Sequence, residues 1–348
     1  MSTNFDSSLF VDIADSIGLG NPAIVEKDYY VVELLKLISK LDLDYHQIVF
    51  SGGTALAKSS IKTHRMSEDI DLKLIPKSNY VELISRNAKR NVRKKAKLQI
   101  ENLLDQSALF SIEGTPSIQD EYRYSAFEVR YPQEYQQAPC LRPFIKLELI
   151  ETSTLSPPEK RAIQSIYSEI LKEQGQNFEM NCAAIIDTQA EKLVSMLRRT
   201  ASVTRDQNRD DDETLIRHIY DTYHIQMTKP SDKTALATLV NKVIEADVEQ
   251  YGNQHPQLVE SPFEELNFGL EQLIHNELFK ERYNRYVSPM VYADHPVTWQ
   301  DALAAFHKLT LEVFEEIKES SLKDCFASTK EDVNNNEAVG GQSFLKDL

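Results

Sequence analysis

The hydrophobic period of the chain changes several times, and each change predicts an element. From about Ser8 to Leu43 apolar residues recur at helical spacing, clearest in "AIVEKDYYVVELLKLISKL", where Ile24, Tyr30 or Val31, Leu34 or Leu35, and Ile38 share a face. Pro22, following Asn21, suits a helix start. A short apolar run, Ile48 to Phe50, is then halted by Ser51, Gly52 and Gly53 and followed by helix formers, which reads as strand, glycine turn and helix. "SEDIDLKLI" alternates, with Ile70, Leu72 and Leu74 opposite Asp69, Asp71 and Lys73, the pattern of a strand with one buried and one polar face. Further strands are expected at "EYRYSAFEVRY" and at "RPFIKLELIET", where Ile145, Leu147 and Leu149 oppose Lys146, Glu148 and Ile150. Pro157 and Pro158 end that region.

From about Glu191 onward the pattern is helical, in "AEKLVSMLRR", "LIRHIYDTYHI", "DKTALATLVNKVIEADVEQY", "NFGLEQLIHNELFKERYNRY" and "WQDALAAFHKLTLEVFEEI". Between the first two lies "TASVTRDQNRDDDE", polar enough to be expected as a mobile loop. The chain therefore predicts an α/β class protein, α+β in detail, with a mixed sheet. Its expected divisions are an N-terminal helical segment packed on the core (1–45), an α/β core (46–190), a helical C-terminal domain (191–327) and a disordered tail (328–348).

The 348 residues suit about two domains, and 41% hydrophobic with 27% charged residues is the composition of an ordinary globular protein. No apolar run approaches the roughly 18 residues of a membrane span, and "MSTNFDSSLFVDIADSIG" has no basic leader before an apolar block, so a cytoplasmic protein is expected. Cys140, Cys182 and Cys325 are far apart and show no zinc-type spacing. A formal net charge of −15 argues against wholesale attraction to nucleic acid or to an anionic membrane. One stretch runs the other way: in "SRNAKRNVRKKAKLQ", Arg86, Lys89 or Arg90, Arg93 and Lys97 recur at helical steps, with Lys94 beside them. That face is either a solvated helix surface or a ridge that contacts phosphates of a nucleotide or RNA.

Candidate chemistry gathers around the glycine turn. Residues two apart on a strand point the same way with Cα atoms about 6.6 Å apart, so Asp69 and Asp71 can converge on one ion. Glu148, on the polar face of another strand with Lys146, would join them if the strands were neighbours about 4.8 Å apart. Three hard oxygen ligands suit Mg²⁺ or Mn²⁺, and a pair of such ions about 3.5–4 Å apart would activate an attacking oxygen and stabilise a leaving pyrophosphate. Without metal the acids would repel one another. Gly52 and Gly53 let a phosphate approach the backbone, and Ser51 and Thr54 can add hydroxyl donors. Glu26, Lys27 and Asp28 sit at a helix start, where acids favour the dipole without any further role; Lys27 and Asp28 could also border a nucleotide pocket. Tyr220, Tyr223 and His224 read as core and interface residues. There is no Gly-x-Ser-x-Gly, no Walker lysine after the glycines and no kinase His-Arg-Asp.

The order strand, Gly-Gly, helix, Asp-x-Asp and a third acid on a later strand resembles the nucleotidyltransferase superfamily related to DNA polymerase β. More narrowly, "GGTALAK" with "RMSEDIDL", preceded by "EKDYYV" and followed by "AEKLVSMLRR" and "YDTYHI", is similar to the AbiEii/AbiGii-type toxins of bacterial type IV toxin–antitoxin and phage-abortive systems. The similarity runs in pieces from about Val25 to Val291, with a Gly53-to-Asp69 gap somewhat longer than in the general superfamily pattern. It implies a polymerase β-like core, with Gly52, Gly53 and Thr54 the turn that holds the triphosphate; Ser51 and Lys146, read from their own chemistry and place, complete the expected nucleotide-binding set. It implies metal ligands Asp69, Asp71 and Glu148, with Glu151 the nearby alternative to the last. Arg65 matches the basic residue before the aspartates, Lys192 a phosphate-contacting lysine, and Asp221 an acid of the helical region.

The expected function is Mg²⁺-dependent transfer of a nucleoside monophosphate from a nucleoside triphosphate to an acceptor hydroxyl. By resemblance that acceptor is a tRNA 3′ end or a protein hydroxyl, and the protein is a toxin with a cognate antitoxin. The basic helix, Arg86, Lys89, Arg90, Arg93, Lys94 and Lys97, is the expected RNA contact. The alternatives are a catalytically silent nucleotide- or partner-binding protein, and a phosphotransferase on the same scaffold.

Overall fold

The computed structural model describes residues 6–172 and 178–339, with side chains as far as residue 320. The N-terminal helical run divides into α1 (Leu9–Ser16) and α2 (Pro22–Ile38). The break follows from Gly18 and Gly20, at left-handed φ of 71° and 63°, and from Asn21, whose side chain accepts from the Ala23 amide to cap the second helix. Then come β1 (His46–Ser51), α3 (Gly52–Ala57), β2 (Ile70–Pro76), α4 (Ser78–Val81), α5 (Arg86–Asp105), β3 (Ser111–Gln119), β4 (Tyr124–Arg130), β5 (Ile145–Glu151), β6 (Glu159–Ile163), α6 (Ile166–Ile170) and β7 (Phe178–Cys182).

The strands form one mixed sheet in the order β3-β4-β5-β2-β1-β7-β6. β2 is antiparallel to β1 and parallel to β5, and β1 is parallel to β7. β3, β6 and β7 carry no readable signal in the sequence. β3 is mostly exposed, β6 is a charged edge, and β7 has only five residues. The apolar faces of β2 and β5 behave as their alternation demands: Ile70, Leu72, Ile145 and Leu147 are fully buried. They share one hydrophobic cluster with Val31, Leu34 and Leu35 of α2 and Ile100 of α5, so both helices cover the same side of the sheet. The polar faces of β2 and β5 are left for chemistry.

The second hydrophobic cluster is helical. It is built from α7 (Ile185–Arg205), α8 (Arg217–Thr228), α9 (Lys233–Tyr251), α10 (Pro256–Glu260), α11 (Pro262–His275), α12 (Leu278–Tyr286) and α13 (Trp299–Val339). α7 runs to Arg205 and so absorbs "TASVTR" of the segment expected to be a loop, because Thr200, Ala201 and Ser202 are buried on its inner face. "NFGLEQLIHNELFKERYNRY" is two helices, parted where Asn276 turns extended. α13 continues through 328–339, part of the tail expected to be disordered; residues 340–348 lie outside the described residues. Among the described residues no helix is long and apolar enough to cross a membrane.

After α12 the chain returns to the core. Arg65 and Val291 form a β-bridge, the Met66 amide donates to the Met290 carbonyl at 2.9 Å, and the Tyr292 amide donates to the His64 carbonyl at 2.9 Å. The long connection between Gly53 and Asp69 is thus a strap that stitches the two modules together.

α7 and α11 touch through Gly269, where an added Cβ would lie 2.2 Å from the Leu197 carbonyl oxygen. Backbone cannot yield as a flexible side chain can, so Gly269→Ala is expected to lower the unfolding free energy by roughly 1–3 kcal/mol in urea titrations. An unchanged midpoint would show that the two helices separate without cost.

Candidate active site

At the end of β1 the chain turns at Gly52, whose φ is 76°. A Cβ at this position would sit 1.8 Å from Asp71 Oδ2, so only glycine lets that carboxylate lie against the turn. The strand registers explain why Asp71 is there: Ser51 pairs with Asp71 across β1 and β2, and Asp71 pairs with Glu148 across β2 and β5. Asp71 and Glu148 are direct neighbours on the polar face. Asp69, expected on the strand, instead stands one residue before β2 in its irregular entry. The Thr54 hydroxyl donates to the Asp69 carbonyl, and the Ser51 hydroxyl donates to the Asp71 carbonyl at 3.2 Å. Both hydroxyls, read from the sequence as phosphate donors, brace the backbone that carries the acids.

The two neighbouring carboxylates are in different electrostatic states. Burial, then Glu148 and Asp69, push Asp71 well above the usual carboxylate range. Burial works against the Glu148 anion too, but the Tyr124 hydroxyl donates to it and Lys146 Nζ lies 2.9 Å from its Oε1, which together hold it low. Asp71 and Glu148 act on one another at close range, which raises Asp71 and helps hold Glu148 low. Asp69, raised by burial, leans onto the Arg142 guanidinium. Among the described residues no three His, Cys, Asp or Glu side chains close on one point to hold an ion, since Lys146 and Arg142 draw two of the acids outward. The donor set nevertheless has the chemistry of a hard-cation site, because two carboxylates this close need either a proton or a cation between them. Glu151, the alternative third acid, is at the far end of β5, where it accepts from Tyr80 and Arg93 and pairs with His46.

Beneath the glycine turn lies a second cluster. Arg65 grips Asp221 with Nε at 3.2 Å from Oδ1 and Nη2 at 2.9 and 3.0 Å from the two oxygens, while Lys192 Nζ is 2.9 Å from Oδ2. Despite burial, these cations hold Asp221 far below the ordinary range. A Cβ on Gly53 would be 3.3 Å from Arg65 Nη2 and 3.6 Å from Asp221 Oδ2, so the cluster underlies the turn directly. Two cations on one anion leave a buried net charge of +1 there.

Sequence reasoning missed a third group. Glu68, 2% exposed, binds Lys27 Nζ at 2.6 Å, accepts from the Arg142 amide at 2.9 Å, and lies 3.5 Å from Arg217 Nη2. Glu68 is therefore the fixed point from which Arg142 reaches Asp69. Its position next to Asp69 hid it, and Arg142, in the irregular "APCLRPF", offered no periodicity to read. Lys27 borders this network, whereas Asp28 faces away, accepting from the Ile166 amide and pairing with Lys58.

The basic helix is not the ridge expected. Arg93 is 2% exposed, pairs with Glu151 and Glu121, and shares the inward stripe of α5 with Ala96, Ile100 and Leu104. Arg86 is bound to Glu121 and Lys97 to Glu101. Lys89 and Arg90 lie over the Tyr80 and Tyr122 rings, and Lys94 stays on the exposed face.

Removing Glu68 would leave Lys27, Arg217 and the Arg142 amide without their common partner in the interior. Glu68→Ala is expected to cost about 3–5 kcal/mol of stability in urea unfolding, and a loss below about 1 kcal/mol would show the three groups find other partners. His224 gives a pH signature: burial holds its imidazole down at about 4 against an ordinary 6.5, and its ring packs 4.4 Å from that of Tyr220. The unfolded chain binds this proton first, so the contribution is full above about pH 6.5 and is lost as pH falls towards 4, amounting to about 3 kcal/mol. Thermal melts from pH 7 to 4 should show this slope, and His224→Phe should reduce it, with part remaining because burial also holds the His218 imidazole well below its ordinary range.

The family model described as nucleotidyl transferase AbiEii toxin, type IV toxin–antitoxin system, matches residues 36–305. No curated protein sequence matches the chain. Among solved structures it is similar to MenT4, a nucleotidyltransferase toxin from Mycobacterium tuberculosis H37Rv, with a TM-score of 0.60 and 18% identity over 97% of this chain and 99% of that one. At that identity the likeness concerns the fold, a mixed sheet followed by helices. The family match covers the glycine turn, the acid-bearing strands and α7 to α12 together, and the chain belongs to the AbiEii nucleotidyltransferase toxins of type IV toxin–antitoxin systems.

Proposed function

We propose that this nucleotidyltransferase moves a nucleoside monophosphate from a nucleoside triphosphate to an RNA hydroxyl, foremost a tRNA 3′ end, with Mg²⁺ or Mn²⁺ held by Asp69, Asp71 and Glu148. The observation that carries the reading is the register that sets Asp71 beside Glu148 directly under the Gly52 turn. A divalent cation bound there would neutralise charge on the phosphates and lower the pKa of the attacking hydroxyl.

The chain's own groups supply the rest. The turn at Gly52 and Gly53 admits the triphosphate against the backbone, and the buried net +1 of Arg65, Lys192 and Asp221 lies behind it with the sign that favours a polyanion. Lys146 is half-buried beside Glu148 and Arg142 beside Asp69, so each can move from carboxylate to phosphate when the acids take a cation. The acceptor oxygen attacks the α-phosphorus, the bond to the bridging α–β oxygen breaks, pyrophosphate leaves, and the hydroxyl proton passes to the carboxylate cluster. Of the basic helix, Lys89, Arg90 and Lys94 remain able to meet an RNA backbone. An antitoxin partner follows from the family.

The test is transfer of label from triphosphate to bulk tRNA in the presence of Mg²⁺. Label from the α-phosphate supports the reading, label from the γ-phosphate points to a phosphotransferase, and binding without transfer points to a silent protein. Asp71→Asn should reduce transfer at least 100-fold. Because the folded protein disfavours the Asp71 anion, the raised pKa destabilises it at neutral pH, and the same variant should melt higher than the wild-type chain in metal-free buffer. Retained transfer in this variant would overturn the assignment.

A further inference from the structure

We propose that Arg142 is a gated phosphate contact: it fills the place of a divalent cation at Asp69 and passes to the triphosphate only when an ion takes that carboxylate, with Lys27 as the positioning residue that aims it. The inference deepens the nucleotidyl-transfer reading above and rests on it. It starts from a stretch that the reading leaves without a role, Glu26, Lys27 and Asp28 of α2, successive residues that are all buried. On a helix their side chains leave the axis about 100° apart, and each meets a different segment. Glu26 accepts from the Glu134 amide at 2.7 Å, Lys27 donates to the Arg142 carbonyl at 2.7 Å, and Asp28 accepts from the Ile166 amide at 2.7 Å. Apolar side chains would fill the same volume without the cost of desolvating three charges, so what the triplet adds is placement. Glu26 and Lys27 pin the irregular loop between β4 and β5 at Glu134 and at Arg142.

The clamp on Arg142 closes on both sides of its backbone. Glu68 Oε2 accepts from Lys27 Nζ at 2.6 Å and from the Arg142 amide at 2.9 Å, while the same Lys27 Nζ holds the Arg142 carbonyl. Pro143 follows and biases the Arg142 backbone towards the extended region. The side chains of Lys27 and Glu68 are 0% and 2% exposed, whereas those of Arg142 and Asp69 are 29% and 25% exposed. The backbone is fixed in the interior, and the guanidinium, on its flexible stem at the rim, is the part that can swing. Its Nη1 meets Asp69 Oδ1 and lies 3.8 Å from Glu68 Oε1, so one cation serves two anions. Asp69 is tied in turn to the glycine turn, because Thr54 in the first turn of α3 donates to its carbonyl. A guanidinium released from Asp69 therefore starts beside the backbone that admits the triphosphate, and its planar fork suits phosphate oxygens as it suits a carboxylate. While it stays on Asp69 both groups are withheld: an ion finds a cation already at the carboxylate, and a phosphate finds the cation engaged.

Calorimetry of the full chain with MnCl₂ and with whichever of the four ribonucleoside triphosphates binds most tightly reads the gate as the cost of Arg142→Gln in three settings. In EDTA the substitution should weaken the triphosphate by no more than about twofold, because Asp69 already holds the guanidinium. With Mn²⁺ present it should weaken the triphosphate by about fivefold or more, and in an Asp69→Asn background it should do so even in EDTA, since asparagine no longer retains the cation. Mn²⁺ alone should bind the Arg142→Gln chain about threefold tighter than the wild type, because no internal cation has to leave. Lys27→Met should reproduce the Mn²⁺-dependent loss and add nothing to it when combined with Arg142→Gln. Should Lys27→Met fail to fold, hydrogen exchange of the wild-type chain reads the clamp directly: the Arg142 amide should stay protected with and without Mn²⁺ and triphosphate. Equal costs of Arg142→Gln in the three settings, as for a fixed contact or a remote charge, or no cost in any of them, would overturn the gate. A folded Lys27→Met chain with wild-type affinities, or an Arg142 amide that exchanges freely, would overturn the aiming role. A wild-type chain that binds no triphosphate even with Mn²⁺ would overturn the nucleotidyl-transfer reading itself, whereas intact binding with equal costs overturns the gate alone.

Discussion

One carboxylate, Asp221, holds two cations that reach it from opposite parts of the chain. Arg65 comes from the strap before β2 and Lys192 from α7, and all three side chains are almost completely buried. Burying such charges is favourable only when every hydrogen-bonding position is met, and the forked grip of Arg65 together with Lys192 meets those of Asp221. Because the cluster joins the strap to α7 and α8, it fixes how the helical module stands over the polar face of the sheet. The same contact explains why Lys73 of β2 finds Glu191, the residue before Lys192, and why the strap is also tied to Met290 and Tyr292.

The acids of the core separate by environment into two kinds. Asp221, Glu68 and Glu148 are buried, yet each has cations or hydroxyl donors that keep it ionised. Asp71 has no such partner: burial, Glu148 and Asp69 outweigh the nearby Lys192, whose ammonium is paired with Asp221. A fold that holds Asp221, Glu68 and Glu148 ionised and leaves this one against Glu148 has placed instability where a cation can relieve it. Arg142 and Lys146 extend the argument, since both cations are partly exposed and bonded to acids that a divalent ion would claim.

How far the sequence could be read depended on burial. β2 and β5 were legible because one face of each is apolar and the other polar, so alternation gave strand and facing, while the pairing of Asp71 with Glu148 came only with the sheet order. α7, α8 and α9 were legible from their stripes, while the join at Asn276 was not, since nothing in "LIHNELF" interrupts the period as proline would. β3, β6 and β7 lie at or near the sheet edges, where side chains face solvent and no apolar pattern is required. The basic stretch misled for a related reason. Periodicity shows which residues share a face of α5 but not which face turns inward, and the arginine at position 93 shares its stripe with three apolar residues that anchor the helix to the core. Glu68, Arg142 and Arg217 became visible only when three distant segments were brought together.

A chain with a net charge of −15 repels polyanions at long range, so any attraction to one has to be local. Its answer is depth. Arg65, Lys192, Lys27 and Arg217 are all buried around the site, where the local dielectric is low and salt screens them little. Their charge is compensated pairwise, with a surplus beneath the glycine turn, so the field there favours an anion at short range while the outer surface offers little steering. The basic helix fits the same economy of charge: most of its cations are tied to acids of the same chain, and those left uncommitted number too few to draw nucleic acid in without a recognised end. Selectivity for an anion in such a protein has to come from what the site itself can enclose, because the long-range field does not supply it.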